Sequence, residues 1–387
     1  MNAKANSQLR LPPIVAVIDD YVWYVRDMPA AASCVLLGKT RLYAGDWDGN
    51  LRAWDGEGEL LWHHQAEDRV ERMCGASMAK PPFICATAGS QIICLDAKTG
   101  QENWNQPLIG SSDLVVCSDD GTRVLATSSV YEIELNDFID TTCWRFDGEG
   151  NIVRQDSFEE RPWHLLLDDK LIATMGLGRP RCGLMRQDDD SCEHLNLAEE
   201  DPILCGSTSN GNTVFGHVSG LVSTLTKKGD KIRKLDKSSD NSVDCMSYDG
   251  EFIIAGDNNG SLRGIQKNKK QWETNLMYPL GECAVGFELN GNKSCWVSTW
   301  DGLKSNLFIL SSDDGSELLK FNDLPRVRSL SGRGDRVVIG LEDGRVFLFT
   351  KELFQRRLSS NHQDTESAAD PNSNRSLLQE KLRALRN

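Results

Sequence analysis

Ala44-Gly-Asp-Trp-Asp-Gly49 is a short turn motif that recurs four more times along this chain of 387 residues. Each copy has a small residue, three mostly polar or turn-forming residues and then glycine, and each follows a run of β-type residues. Because glycine accepts a positive φ at little cost, the motif predicts a tight turn between two antiparallel strands. The other copies are Phe215-Gly-His-Val-Ser-Gly220, Ala255-Gly-Asp-Asn-Asn-Gly260, Val297-Ser-Thr-Trp-Asp-Gly302 and Ile339-Gly-Leu-Glu-Asp-Gly344.

The motif lies inside a longer repeating unit. A short apolar run and a further turn precede it, as in Val243-Asp-Cys-Met246 before Tyr248-Asp-Gly250. A turn and an aromatic residue follow it, as in Asp55-Gly-Glu-Gly58 before Trp62. Each unit therefore predicts four short antiparallel strands. First strands near residues 34, 72, 113, 163, 203, 243, 283 and 327 give eight units, and their spacing of about 42 residues is typical of a four-stranded propeller blade.

The count of eight has one alternative. Units three and four are the least regular, with enlarged loops expected around residues 131–142 and 180–190, so seven blades with one misassigned unit is also possible on the sequence. The N-terminal segment 1–33 lies outside the units, and we expect its apolar run to add a strand to the last blade and close the ring. The repeat region is predicted to extend over residues 34–358.

Asp96-Ala-Lys-Thr-Gly-Gln-Glu-Asn-Trp104 resembles the repeat of the PQQ-like (quinoprotein alcohol dehydrogenase-like) β-propellers, in which Asp-x-x-x-Gly precedes Trp on the outer strand. Gly45-Asp-Trp-Asp-Gly-Asn-Leu-Arg-Ala-Trp-Asp55 is similar to WD40 repeats, but the Gly-His dipeptide at WD40 spacing is missing, which favours the PQQ-like group. The resemblance covers nearly the whole repeat region and implies an all-β, eight-bladed propeller. It indicates function only weakly, because propellers host many functions.

The C-terminal residues do not continue the repeat. Residues 359–374 are polar and predict a disordered linker. Residues 375–387 predict a short basic amphipathic helix whose leucines fall on one face. This helix either frays or docks on the propeller, or it binds in a groove of a partner protein. The side chains predicted to contact a partner are Leu378, Leu382, Leu385, Arg383 and Arg386.

The composition excludes several classes of protein. With 43 Lys and Arg against 57 Asp and Glu, the net charge of −14 is opposite to the basic footprint of a general nucleic-acid binder. The longest apolar stretches, such as Ile14–Ile18, are far shorter than a membrane span, and no signal-peptide pattern is present. The 12 Cys include no CxxC pair, so we expect reduced thiols in a cytoplasmic protein and no zinc site.

Trp47 and Trp300 occupy the same position of the turn motif in the first and seventh units. In a closed ring these turns project from one face, together with acidic side chains from units six, seven, eight and one. We predict a partner-binding surface suited to a basic peptide, through cation–π contact and charge steering. Under the other interpretation Asp-Gly is turn chemistry alone and each tryptophan folds over its neighbouring blade. The predicted contact residues are Trp47, Asp48, Asp257, Trp300, Asp301, Glu342 and Asp343.

Catalytic motifs are missing from the sequence, which contains no GxSxG elbow, P-loop or HExxH. The resemblance would allow a quinone cofactor, but the adjacent Cys pair that many such enzymes carry is not present. We therefore expect a non-enzymatic scaffold that binds one or more proteins, without a metal, a cofactor or a small-molecule ligand. The alternative is a propeller enzyme or small-molecule binder that uses the central channel. Perturbed titratable groups should then converge on the channel, whereas a scaffold should expose an apolar or aromatic rim.

Overall fold

The computed structural model describes residues 16–196, 200–226 and 231–369, and within them the chain forms eight four-stranded antiparallel sheets. The first strand of each sheet contacts the first strand of the next, so the sheets surround a central channel as the blades of a propeller. These inner strands begin at residues 34, 70, 111, 162, 203, 243, 280 and 327, close to their predicted positions. The predicted all-β, eight-bladed fold is confirmed, and the seven-bladed alternative is wrong.

The strands follow the chain from the inner to the outer edge of each blade, except in the last blade. Blades one to four contain β2 (Cys34–Leu37), β3 (Leu42–Gly45), β4 (Asn50–Trp54) and β5 (Leu60–Gln65); β6 (Val70–Ala76), β7 (Phe83–Ala88), β8 (Gln91–Asp96) and β9 (Glu102–Pro107); β10 (Ser111–Cys117), β11 (Arg123–Glu132), β12 (Asp137–Asp147) and β13 (Ile152–Phe158); β14 (Pro162–Leu167), β15 (Ala173–Leu177), β16 (Leu184–Gln187) and β17 (Cys192–Leu195). Blades five to eight contain β18 (Ile203–Ser209), β19 (Asn212–His217), β20 (Val222–Leu225) and β21 (Ile232–Asp236); β22 (Val243–Tyr248), β23 (Phe252–Asp257), β24 (Ser261–Gln266) and β25 (Lys269–Asn275); β26 (Leu280–Leu289), β27 (Asn292–Trp300), β28 (Ser305–Ser311) and β29 (Glu317–Leu324); β30 (Val327–Arg333), β31 (Arg336–Leu341), β32 (Arg345–Thr350) and β1 (Tyr24–Asp27).

The last blade combines both ends of the described chain. Its three inner strands come from residues 327–350, and β1 from the N-terminal segment forms the outer strand. β1 pairs antiparallel with β32, with Tyr24 opposite Leu348 and Asp27 opposite Arg345. This pairing closes the ring, because the chain then continues directly from β1 into the first blade. A closed ring leaves no long inner sheet edge exposed to other chains.

The two irregular units are complete blades. β11 and β12 form a long hairpin that takes up most of the loop expected at 131–142, and β16 lies inside the loop expected at 180–190. The extra residues of the hairpin pair across the two strands, with Glu132 opposite Asp137. Pairing of this kind depends on the partner strand, so local composition alone indicated a loop.

A helix follows the last strand of the repeat. α1 (Lys351–Ala369) begins directly after β32. Phe354 and Leu358 are four residues apart on one helix face and are buried in a cluster with Tyr21 and Trp296. The helix covers residues 359–369, where the sequence predicted a disordered linker. The buried contacts of its first two turns explain the difference, because tertiary packing stabilises helices whose composition alone does not.

The predicted basic helix at 375–387 lies outside the described residues. The same is true of the residues predicted to contact a partner from that segment, which are Leu378, Leu382, Leu385, Arg383 and Arg386.

The two faces of the propeller carry different turns. The upper face consists of the turns between the second and third strands of each blade and the connections between blades. The lower face consists of the remaining turns and α1. All five motif glycines take a positive φ, between 82° and 102°, in the upper turns. The repeated motif therefore builds one continuous surface.

Tryptophans on outer strands join neighbouring blades near the lower face. Each indole Nε1 donates a hydrogen bond to a backbone carbonyl in the turn before the outer strand of the next blade, and its ring covers a glycine in that turn. This contact is the structural role of the Asp-x-x-x-Gly and Trp pattern in the sequence. The donor and acceptor residues are Trp62 and Ala97 at 3.2 Å, Trp104 and Gly148 at 3.1 Å, and Trp272 and Ser312 at 2.8 Å.

Candidate functional site

The first acidic residue of the turn motif shapes the upper face from within. Asp46 Oδ1 accepts hydrogen bonds from the backbone N–H groups of Asp48 at 3.0 Å and Asn50 at 2.7 Å. Its Oδ2 accepts one from the backbone N–H of Ala30, in the connection from blade eight, at 3.1 Å. The carboxylate is buried. It therefore anchors the turn and joins two blades, which is the turn chemistry expected of Asp in this position.

Asp257, one of the predicted contact residues, has the same structural role in blade six. Its Oδ1 accepts hydrogen bonds from the backbone N–H groups of Asn259 at 3.0 Å and Ser261 at 2.8 Å. Its Oδ2 accepts one from the hydroxyl of Ser239 at 3.2 Å. Asp257 is 0% exposed, and this burial removes it from the predicted contact surface.

The two motif tryptophans lie against arginines at the entrance to the eighth blade. The Arg328 guanidinium is 4.5 Å from the ring centroid of Trp47, and that of Arg326 is 5.2 Å from the ring centroid of Trp300. Arg328 also donates a hydrogen bond to Glu342 Oε1 at 2.9 Å. The structure thus brings Trp47 and Glu342 together through one arginine. Each indole thus carries one of the chain's own cations on its ring, the kind of group that a basic peptide would have supplied.

The remaining predicted acids are satisfied to different degrees. Asp301 Oδ1 accepts hydrogen bonds from two backbone N–H groups of its own turn at 2.8 and 2.7 Å, and these bonds hold the pKa of this carboxyl below its ordinary value of 3.8. Asp343 Oδ2 accepts one from Arg345 Nε at 2.7 Å. Asp48 is exposed at the turn of blade one. The acidic rim predicted from the sequence therefore presents much less uncompensated charge than the count of its residues indicates.

An apolar surface that the sequence reasoning missed lies next to Trp300. Met277 is 80% exposed, Leu303 is 85% exposed and Tyr278 is 41% exposed. Loop 275–279 contacts the turn of blade seven, because the backbone N–H of Trp300 donates to Pro279 O at 3.1 Å. We call these three side chains the upper apolar patch. Large apolar residues in positions where the turn pattern favours polar ones are the signal that could have revealed it.

The upper apolar patch is held by a constrained backbone. Met277 takes φ 75°, a region that residues with side chains rarely occupy. Its backbone N–H donates to Asn275 Oδ1 at 2.8 Å, and the neighbouring Leu276 N–H donates to Gly260 O at 2.8 Å. These bonds hold the loop on blade six, and the bond from the Trp300 N–H to Pro279 O joins it to blade seven. Unusual conformations of this kind concentrate at functional positions because they need support from the surrounding structure.

The central channel widens near the upper face into a cavity of about 480 Å³, lined by the beginnings of the inner strands. Glu282 of β26 and Asp244 of β22 line this cavity, and burial raises the pKa of both carboxyls. Arg72 and Arg326 oppose the shift at Glu282, because a positive charge favours the ionised form. Titratable groups of this kind are the feature expected if the channel binds a small molecule.

Two kinds of site are missing from the described part of the chain. No group of three or more His, Cys, Asp or Glu side chains among these residues is arranged to hold a metal ion. No helix in the same residues is both long and apolar enough to cross a membrane.

Comparison with known proteins supports the propeller resemblance. A family model described as outer membrane protein assembly factor BamB matches residues 21–147, which is less than half of the chain. No curated protein sequence matches the chain. The similarity that extends over most of the chain is therefore structural.

Three solved structures illustrate this similarity. BamB from Moraxella catarrhalis is 16% identical with a TM-score of 0.64, over 84% of this chain and 98% of that one. Sqt1 from Saccharomyces cerevisiae is 10% identical with a TM-score of 0.65, over 85% and 98%. The C-terminal WD40 domain of Sif2 is 10% identical with a TM-score of 0.66, over 85% and 99%. These matches confirm the β-propeller fold.

Proposed function

We propose that this protein is a non-enzymatic scaffold that binds a partner protein on the upper face of the propeller. The observation that carries the proposal is the exposure of Met277 and Leu303 beside Trp300 on a rigid eight-bladed ring. Exposed apolar side chains that cluster on a folded surface mark sites of protein association. The contact would be centred on the upper apolar patch and flanked by Trp300 and Trp47.

The partner surface that fits this site is apolar rather than strongly basic. Trp47 and Trp300 already have arginines on their rings, and Asp257 is buried. A basic peptide would therefore have to displace Arg326 or Arg328 to stack on the ring faces that these arginines cover. An apolar segment needs no such displacement, because it would cover side chains that are in contact with water.

The proposal is tested by affinity capture with the intact chain and two double variants. Met277→Asp with Leu303→Asp places charges in the upper apolar patch. The matched control, Ile133→Asp with Leu135→Asp, makes the same change at two exposed apolar residues on the long hairpin of blade three.

We expect the patch variant to lose a protein that both the intact chain and the hairpin variant retain. With that partner purified, the Kd should rise at least about tenfold, which corresponds to about 1.4 kcal/mol. Equal binding by all three proteins would contradict the assignment of the site. Circular dichroism confirms that the variants are folded, as expected for substitutions at exposed positions.

The C-terminal residues beyond the described helix provide a second proposed contact. Residues 375–387 would present one leucine face and a positive charge to a groove in another protein. Truncation after Ala369 keeps the packed helix and removes residues 370–387, which include this segment. Loss of a captured protein on truncation supports the contact, and an unchanged set of captured proteins excludes it. We place these interactions in the cytoplasm, which cell fractionation tests.

A ligand in the central channel is a second candidate function, favoured by the carboxyl group of Glu282 among arginines at the cavity. A small molecule bound there would stabilise the folded protein, and Glu282→Gln would change that stabilisation. Thermal-shift measurements with a panel of small organic acids and amines test this candidate. No stabilisation by any compound, together with partner capture by the upper apolar patch, would favour the scaffold.

A further inference from the structure

A separate apolar pocket opens on the lower face between blades one and two. Its cavity volume is about 300 Å³, at the lower end of the range of about 300–1,000 Å³ that ligand pockets occupy. Leu36, Tyr43, Phe83 and Ile84 contribute apolar surface, and Gly75 leaves space between them. We call this cavity the lower pocket. Its size suits one or two apolar side chains.

The walls of the lower pocket come from separate parts of the ring. The turn at residues 38–41 belongs to blade one, the segment 75–84 belongs to blade two, and Arg333 reaches in from blade eight. Tyr43 and Phe83 are almost fully buried beneath the opening. Because blades on both sides hold these groups in place, the pocket is already formed before any ligand binds. A preformed pocket lowers the entropic cost of binding.

Four cationic side chains line the opening of the lower pocket, and none of the described carboxylates lines it. They are Lys39, Arg41, Lys98 and Arg333. Arg41 donates to Ala97 O at 2.6 Å and Arg333 donates to Leu37 O at 2.9 Å. These carbonyls orient the guanidinium groups but do not neutralise them.

The cations at the lower pocket are not paired with carboxylates. The chain has a net charge of −14. Elsewhere in the described residues, thirteen arginines and lysines form salt bridges with Asp or Glu. None of the four pocket cations takes part in a salt bridge within the described residues. Asp96 is close enough for Arg41 to lower its pKa, but its Oδ1 accepts hydrogen bonds from the turn of residues 98–99. Four uncompensated positive charges therefore surround an apolar cavity.

We propose that the lower pocket binds an acidic segment of a partner protein that carries one large apolar side chain. The apolar side chain would enter the cavity between Tyr43 and Ile84, and the flanking carboxylates would lie near Lys39, Lys98 and the two arginines. The apolar contact supplies most of the affinity, whereas the charges supply orientation and selectivity. This surface is opposite the upper apolar patch, so the two proposals are independent.

The charge of the chain's own terminal segments does not suit this pocket. Residues 1–15 contain Lys4 and Arg10 and no acidic residue, and residues 370–387 contain four basic and two acidic residues. A membrane surface also fits poorly, because the apolar groups are recessed. Side chains that insert into a bilayer must instead project from the protein surface. A segment of a partner protein that is acidic and brings its own apolar side chain fits both the positive charge at the opening and the recessed apolar cavity.

The experiment selects heptapeptides from a random displayed library on the full chain and measures their binding in solution. Two variants change the site. Lys39→Glu with Lys98→Glu reverses two exposed charges, and Gly75→Leu places a side chain where an added Cβ would already lie 3.4 Å from Leu36. The control, Lys170→Glu with Lys269→Glu, makes the same change in net charge at exposed lysines of blades four and six.

We expect selected peptides to contain a large apolar residue flanked by Asp or Glu. Their affinity should fall at least tenfold in the charge-reversed variant and in Gly75→Leu, remain unchanged in the control, and decrease as salt is added. Met277→Asp with Leu303→Asp should bind them normally, whether or not the upper apolar patch binds its own partner. Peptides without acidic residues, equal binding by the charge-reversed variant and the control, or binding to phosphatidylserine vesicles in place of peptides would each overturn the proposal.

Discussion

Replacing Gly100 with alanine tests the contact that joins blade one to blade two. Gly100 takes φ 72°, and an added Cβ would lie 2.6 Å from Cδ2 of Trp62. The same close approach recurs at two other blade junctions, between Gly150 and Trp104 and between Gly315 and Trp272. The indole rings therefore occupy the space that a side chain at these turns would need.

Two separate costs follow from the geometry at Gly100. Alanine in the left-handed region costs about 1–2 kcal/mol. Displacing the Trp62 ring from its place in a packed junction costs a further 1–3 kcal/mol, roughly the range for overpacking a core. We expect Gly100→Ala to lower the free energy of unfolding by about 2–5 kcal/mol in total.

Gly291→Ala is the matched control for this substitution. Gly291 takes φ 87°, and no atom lies within 4 Å of an added Cβ. It should therefore show only the backbone cost, about 1–2 kcal/mol. A double-mutant cycle with Trp62→Leu isolates the contact between ring and turn, because Gly100→Ala should then cost no more than Gly291→Ala.

The assay is equilibrium urea unfolding, followed by both circular dichroism and tryptophan fluorescence. Coincident transitions are needed before the free energies of the variants are compared. Equal destabilisation by Gly100→Ala and Gly291→Ala would refute the reasoning. So would a cost of Gly100→Ala that does not change when Trp62 is replaced.

Three further predictions concern buried groups. Asp189→Asn should destabilise the protein by about 2–3 kcal/mol, less than the roughly 3–5 kcal/mol of a fully buried pair, because it leaves the buried Arg145 without its carboxylate while Asp189 itself is 37% exposed. Hydrogen bonding to arginine lowers the pKa of Asp189 to about 2, so the stabilisation that this carboxylate gives the wild type should be lost as the pH falls from 3.8 to about 2. Urea titrations that show no such pH-dependent difference between wild type and variant would contradict this prediction. At Glu282 burial raises the pKa above 4.5, so the wild type should lose stability relative to Glu282→Gln as the pH rises above 4.5. A difference in melting temperature between wild type and variant that is the same at pH 4 and at pH 7 would contradict this prediction. Phe354→Ala should cost about 3–5 kcal/mol because the ring is 0% exposed among other aromatic side chains, and unchanged urea unfolding would show that the helix is not anchored as described.

The repeat made most of the fold predictable. Turn glycines such as Gly49 and Gly260 mark the middle of each blade, and local turn chemistry determines their positive φ. Outer-strand tryptophans such as Trp62 mark the end of a blade, because each must reach the turn of the next one. Both signals belong to short motifs that repeat along the sequence, so they can be seen without the structure.

The candidate sites were less predictable, because their groups come from distant parts of the chain. Trp47 and Arg328 are in contact although 281 positions separate them in the sequence. Asp257 matches an exposed turn acid in sequence, but Ser239 of the preceding connection helps to bury it. The lower pocket needs three blades. The helix that contains Phe354 could not be predicted from composition, because composition describes solvent preference but not the cavity that receives an aromatic ring.

Hydrogen–deuterium exchange on the complex between the intact chain and its captured partner tests the proposed scaffold function most directly. Bound partner should slow exchange in the loop at 275–279 and the turn at 299–304, because these segments carry the upper apolar patch. Exchange in the hairpin at 130–140 should stay as it is in the free protein. Slower exchange confined to the inner strands around Glu282, with the loop and the turn unchanged, would contradict the account and point to the channel instead.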